Sequence, residues 1–139
     1  MLPSMLATTF AALGVLHVYW LLGGRLGLAA ALPEVEGRPA FLPSKLATLV
    51  VGAGLFACAG IVAALAGWMA VPLRAPLLDL AGYALALVFL ARAIGDFRLV
   101  GFFKRVRGTR FATLDSFLYS PLCLGLALGV FLVVMARRS

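Results

Sequence analysis

Residues 44–68 read SKLATLVVGAGLFACAGIVAALAGW, and beyond Lys45 the stretch carries no charge. At 1.5 Å rise per residue such a run is long enough to cross a ~30 Å hydrocarbon core as a helix. Pro43 stands just before it and Pro72 shortly after, which bounds it on both sides. Working outward, the same reading applies three more times. Span one covers about 4–24, with Pro3 and Ser4 at its start and Gly23, Gly24 and Arg25 at its end. Span three covers about 77–98, apolar to Ala91 and expected to stay helical through Arg92 to Arg98. Span four covers about 115–136 and ends in Arg137 and Arg138. Four spans are too few and too long for a closed barrel, and the bilayer admits nothing else but helices. The expected fold is therefore all-α, a four-helix transmembrane bundle forming one integral membrane domain over residues 1–139.

Composition agrees. Apolar residues make up 64% of the chain and mean hydropathy is +1.11. Charged residues make up 12%, against about 25% in a soluble protein, so no water-facing domain is expected. The N-terminus has no basic residue before its apolar run and reads as the first membrane helix, not as a secretory signal. The net charge of +7 is a topology signal and not a nucleic-acid surface, because the cations flank the spans. Arg25, Arg38, Lys45, Arg92, Arg98, Lys104, Arg105, Arg107 and Arg110 lie by the first and third loops, against Arg74, Arg137 and Arg138 on the other side. The positive-inside rule then puts both termini outside the cytoplasm, in a multi-pass membrane protein. Cys58 and Cys123 fall within spans two and four and match no metal or disulfide spacing. No cofactor fingerprint is present: Gly23 and Gly24 precede no strand–turn–helix nucleotide motif.

Small residues recur along span two at Ala53, Ala57, Gly60, Ala64 and Gly67, and Gly125 and Gly129 form a GxxxG in span four. They suit close helix packing, within the bundle or between the copies of a homodimer. Pro121 is expected to kink span four and free a carbonyl near Phe117.

The polar residues inside the spans gather at one depth. Counted from the end that carries the first and third loops, His17 lies roughly 10 Å in, Arg92 roughly 9 Å, Tyr119 roughly 6 Å, and Asp96 near the interface. Trp20 is one turn from His17 on the same face, and Tyr19 adjoins it. Arg92 and Asp96 are four apart and are expected to pair, with Asp115 a second partner for Arg92 or Arg98. Ionisable groups at this depth are costly and have either a partner or a function. Imidazole changes charge near neutral pH, so His17 is the candidate proton carrier; it has no companion for a metal site. Ser116 has no adjacent histidine and is not read as a nucleophile. The candidate ligand-binding set is His17, Tyr19, Trp20, Arg92, Asp96, Arg98, Asp115 and Tyr119. The alternating basic and apolar residues of Phe102–Phe111 are expected to lie in the interface. There the cations of the loop spanning 98–110 meet anionic lipid headgroups.

Six blocks together are recognisable: His17–Arg25 (HVYWLLGGR), Ala31–Pro33, Arg92–Arg98 (RAIGDFR), Gly101–Lys104 (GFFK), Phe111–Asp115 and Tyr119–Cys123 (YSPLC). They resemble the bacterial membrane family called domain of unknown function 3995. The resemblance implies a small four-helix membrane protein and no activity. Three functions fit the residues. The first is binding or transport of a small anionic or amphipathic molecule. The second is an enzyme acting on a lipid or isoprenoid with His17 and Asp96 as acid and base. The third is a non-catalytic partner subunit.

Overall fold

The computed structural model describes all 139 residues, Met1–Ser139. Four helical units are long and apolar enough to cross a membrane, and the chain is a multi-pass membrane protein. α1 spans Leu2–Leu21, with Pro3 in its first turn, where a missing N–H costs nothing. The first loop holds a single helical turn, α2 (Leu28–Ala31), and a two-residue hairpin of β1 (Glu34–Val35) and β2 (Arg38–Pro39). α3 spans Lys45–Leu65 and starts at Ser44, whose hydroxyl accepts from the Ala47 amide at 3.1 Å. α4 spans Ala75–Ile94 with Pro76 in its first turn. The last unit is composite: α5 (Arg110–Leu114), a π-helical turn (Asp115–Tyr119) and α6 (Ser120–Arg138).

α1 packs along α3 and α4 along α6, and the two pairs meet less extensively. Between the loop end and the termini the four helices share one buried core. Phe10, Val62, Val130 and Val134 are fully buried there, and Phe10 meets Phe89 edge-on with ring centroids 5.1 Å apart. Backbones approach closely at Gly14 against the Phe56 ring, at Gly82 against Val134 and at Gly129 against Leu6. Of the stripe expected to pack within the bundle or a homodimer, Ala53 and Ala57 face outward. Ala64 of the same stripe is buried in the core, and the close approaches fall at Gly14, Gly82 and Gly129.

Two boundaries differ from the sequence reading. α4 stops at Ile94, not Arg98, because Gly95 takes a left-handed φ of +95° and turns the chain back. The following loop then caps the helix: the amides of Gly95, Phe102 and Phe103 donate to the carbonyls of Ala91, Ala93 and Ile94. Span four begins earlier than expected, at Arg110, under a Thr109 cap. In place of a simple kink, Pro121 has a π turn before it. Proline offers no N–H and its ring crowds the carbonyl four residues back; the Ser120 amide reaches five residues back to Asp115 instead.

Candidate functional site

The π turn delivers Asp115 to the interior, where its side chain is fully buried. Its Oδ1 accepts from Arg92 Nη2 at 2.9 Å. Its Oδ2 accepts from Lys104 Nζ at 3.0 Å and from the Gly101 amide at 2.7 Å. Lys104 is itself 3% exposed and spends its three protons on Asp115, the Gly101 carbonyl and the Ser116 hydroxyl. Arg92 has the opposite condition. Its Nη2 holds Asp115, but its Nη1 is buried and donates to nothing. Two cations thus share one carboxylate, which leaves a net positive charge in the bundle.

The expected Arg92–Asp96 pair does not form. The four-residue spacing brings side chains together only on a continuous helix, and the helix has ended at Ile94. Asp96 instead accepts from the amides of Arg98, Leu99 and Val100 at 2.9, 2.7 and 3.0 Å, tying the turn after α4. What burial it has would raise its carboxyl, but the amides of Val100, Arg98 and Leu99 prevail and hold it below the usual carboxylate range.

Beside Arg92 lies a cavity of about 580 Å³, of the size that holds small molecules. It opens where the two helix pairs diverge, at the end that carries the first and third loops. His17 and Trp20 line it from α1, Thr48 from α3, Arg92 from α4, Tyr119 from the π turn and Cys123 from α6. Most of the remaining wall is apolar, including Leu13, Leu55, Phe89 and Phe111. α2 and the Phe41–Pro43 segment cover it, and the Tyr119 hydroxyl fastens α2 by donating to the Ala30 carbonyl at 3.0 Å. His17 Nδ1–H donates to the Leu13 carbonyl at 2.8 Å, which fixes the tautomer and leaves Nε2 as the free ring nitrogen. The ring stacks edge-on with Trp20, centroids 4.9 Å apart. Trp20 Nε1 donates to the Leu26 carbonyl, which anchors the start of the first loop.

Of the eight expected site residues, His17, Trp20, Arg92 and Tyr119 line this one cavity, and Asp115 stands behind Arg92 as its counter-ion. Tyr19 points the other way and accepts from the Leu26 amide at 3.3 Å. Asp96 and Arg98 belong to the exposed turn, so the acid–base pair of His17 and Asp96 is not assembled. Lys104 is the residue that sequence reasoning missed. It sits among Phe103, Arg105 and Arg107 and reads as one more interfacial cation. The only hint in the sequence is Gly101, whose backbone the buried ammonium and carboxylate share. No group of three His, Cys, Asp or Glu side chains gathers to hold a metal.

The model of the family described as "Protein of unknown function (DUF3995)" matches residues 10–130. No curated protein and no solved structure matches the chain.

Proposed function

The chain belongs to the DUF3995 family, and on that premise we propose that it binds a small amphipathic molecule with its anionic group at Arg92. The observation that carries this reading is the charge imbalance around Asp115. Lys104 has all its donors satisfied, whereas Arg92, which shares Asp115 with it, lines the cavity with no carboxylate of its own. An uncompensated cation at membrane depth is costly, and an anion in the cavity restores the charge balance. The apolar walls suit the rest of an amphiphile, and His17 Nε2 offers a second polar contact. Binding is favoured over transport because the bundle beyond the cavity is closed by Phe10, Val62 and Val130, which leaves access from one end.

The cavity end is assigned to the cytoplasmic side of a bacterial inner membrane, with both termini outside. Removing the buried Lys104 and the paired Arg92 leaves Arg25, Arg38, Lys45, Arg98, Arg105, Arg107 and Arg110 exposed, against Arg74, Arg137 and Arg138. A fusion at Ser139 that fluoresces in the cytoplasm contradicts that orientation. Exposed Phe97, Phe102 and Phe103 beside Arg98, Arg105 and Arg107 support contact of this loop with anionic headgroups. In a homodimer the outward Ala53–Ala57 face of α3 is the candidate contact.

Trp20 lines the cavity and reports on it. In phosphatidylcholine nanodiscs, with Trp68→Phe to silence the other indole, the change in Trp20 emission should report oleate binding about tenfold more tightly than oleyl alcohol, the order of one charge-assisted hydrogen bond. Arg92→Gln should abolish that preference. Equal affinity for acid and alcohol in the parent rules out an anionic head at Arg92.

A further inference from the structure

We propose a second anion site, outside the cavity, in which Arg25 and Arg110 hold a phosphate monoester at the membrane surface. Both arginines line one surface hollow of about 410 Å³ with Tyr19, Leu26, Gly27 and Ala30. No carboxylate lines it, and neither arginine forms a salt bridge anywhere in the chain. Guanidinium forks match the tetrahedral oxygens of phosphate, and two of them match its double charge.

The hollow is built, not incidental. Tyr19 lies flat against Gly24, where a Cβ would fall 2.2 Å from its ring, so the residue before Arg25 has no room for a side chain. The next residue, Leu26, is held from both ends. Its amide donates to the Tyr19 hydroxyl and its carbonyl accepts from Trp20 Nε1. Arg25 therefore projects from a backbone fixed on either side. Arg110 opens α5, whose first turn Thr109 caps by accepting from the Ala112 amide at 3.0 Å. Gly27 and Ala30 line this hollow and the inner cavity alike, so α2 is the wall between them. The outer site nonetheless stands independently of what fills the cavity.

Native mass spectrometry in phosphatidylcholine nanodiscs tests it, with two probes: phosphatidic acid in the disc and inorganic phosphate in solution. Phosphatidic acid retained with no response to inorganic phosphate assigns the site to a lipid headgroup; the reverse assigns it to a free phosphate. In either case Arg25→Gln and Arg110→Gln should each weaken binding about tenfold, as loss of a charge-assisted hydrogen bond does. Arg105→Gln, on the same face but outside the hollow, should change it little. Melting temperatures should be unchanged in the two variants, since neither arginine has a protein partner. The proposal fails if the parent binds neither probe. It also fails if Arg105→Gln weakens binding as much as Arg25→Gln, or if the double variant binds like the parent.

Discussion

Asp115 is the residue on which the site turns, and its surroundings fix an order of effects. Removing it strands Lys104 and Arg92 together, two cations with no carboxylate between them. Removing Arg92 leaves the neutral Lys104–Asp115 pair intact. Asp115→Ala should therefore destabilise the detergent-solubilised protein by about 3–5 kcal/mol, while Arg92→Leu costs clearly less. Chemical denaturation in one detergent compares the two, and equal losses would mean that Lys104 is not the principal partner. Asp96 has a different signature. Its carboxyl is held below the ordinary value by three amides, so its contribution is complete above the unfolded carboxylate pKa of about 3.9 and is lost as pH falls through the lower folded value. Asp96→Asn should melt below the parent at neutral pH, and the gap should close in acid. A gap that stays constant to the lowest accessible pH contradicts the amide-bound carboxylate. The sequence made Asp115 a secondary partner of Arg92 and Asp96 the primary one. Spacing favours Asp96, but spacing holds only on a helix, and Gly95 ends it.

At the scale of the element, the turn from Gly95 to Lys104 matters most. Gly95 and Gly101 cross so closely that a Cβ on Gly101 would stand 2.3 Å from Gly95 Cα, and Gly101 also has a φ of +89°. Its amide is one of the three donors to Asp115. Gly108 has a similar φ, +83°, but open space around it. Gly101→Ala should lower the melting temperature far more than Gly108→Ala, whose cost is limited to the left-handed backbone, about 1–2 kcal/mol. Similar losses at both positions would show that the turn relaxes without disturbing Asp115. The four spans were legible because each is an unbroken apolar run bounded by Pro, Gly or cations. The ends of spans three and four were not. Hydropathy weighs lipid burial alone, while these ends are set by a glycine's φ, a threonine cap and the proline that calls for a π turn. The burial of Lys104 was equally invisible, because it depends on a loop folding back over the helix that precedes it.

For the whole molecule, the bundle is closed near the termini and parted at the other end, and the depth at which the sequence concentrates its polar residues is the depth of the cavity. His17, Trp20, Arg92 and Tyr119, grouped in the sequence by helical depth, line one cavity, since rise per residue places a side chain along the membrane normal without knowledge of packing. Depth says nothing of direction around the helix axis, which is why Tyr19 was grouped with them although it faces outward. On the proposed function, an anionic amphiphile in that cavity balances the excess charge at Arg92. Mass spectrometric identification of what co-purifies with the protein from its native membrane tests it most directly. The parent should retain one acidic amphiphile per chain, and Arg92→Gln, purified identically and equally folded, should lose it. A parent that carries no bound amphiphile, or only zwitterionic lipid in the same amount as Arg92→Gln, contradicts the account.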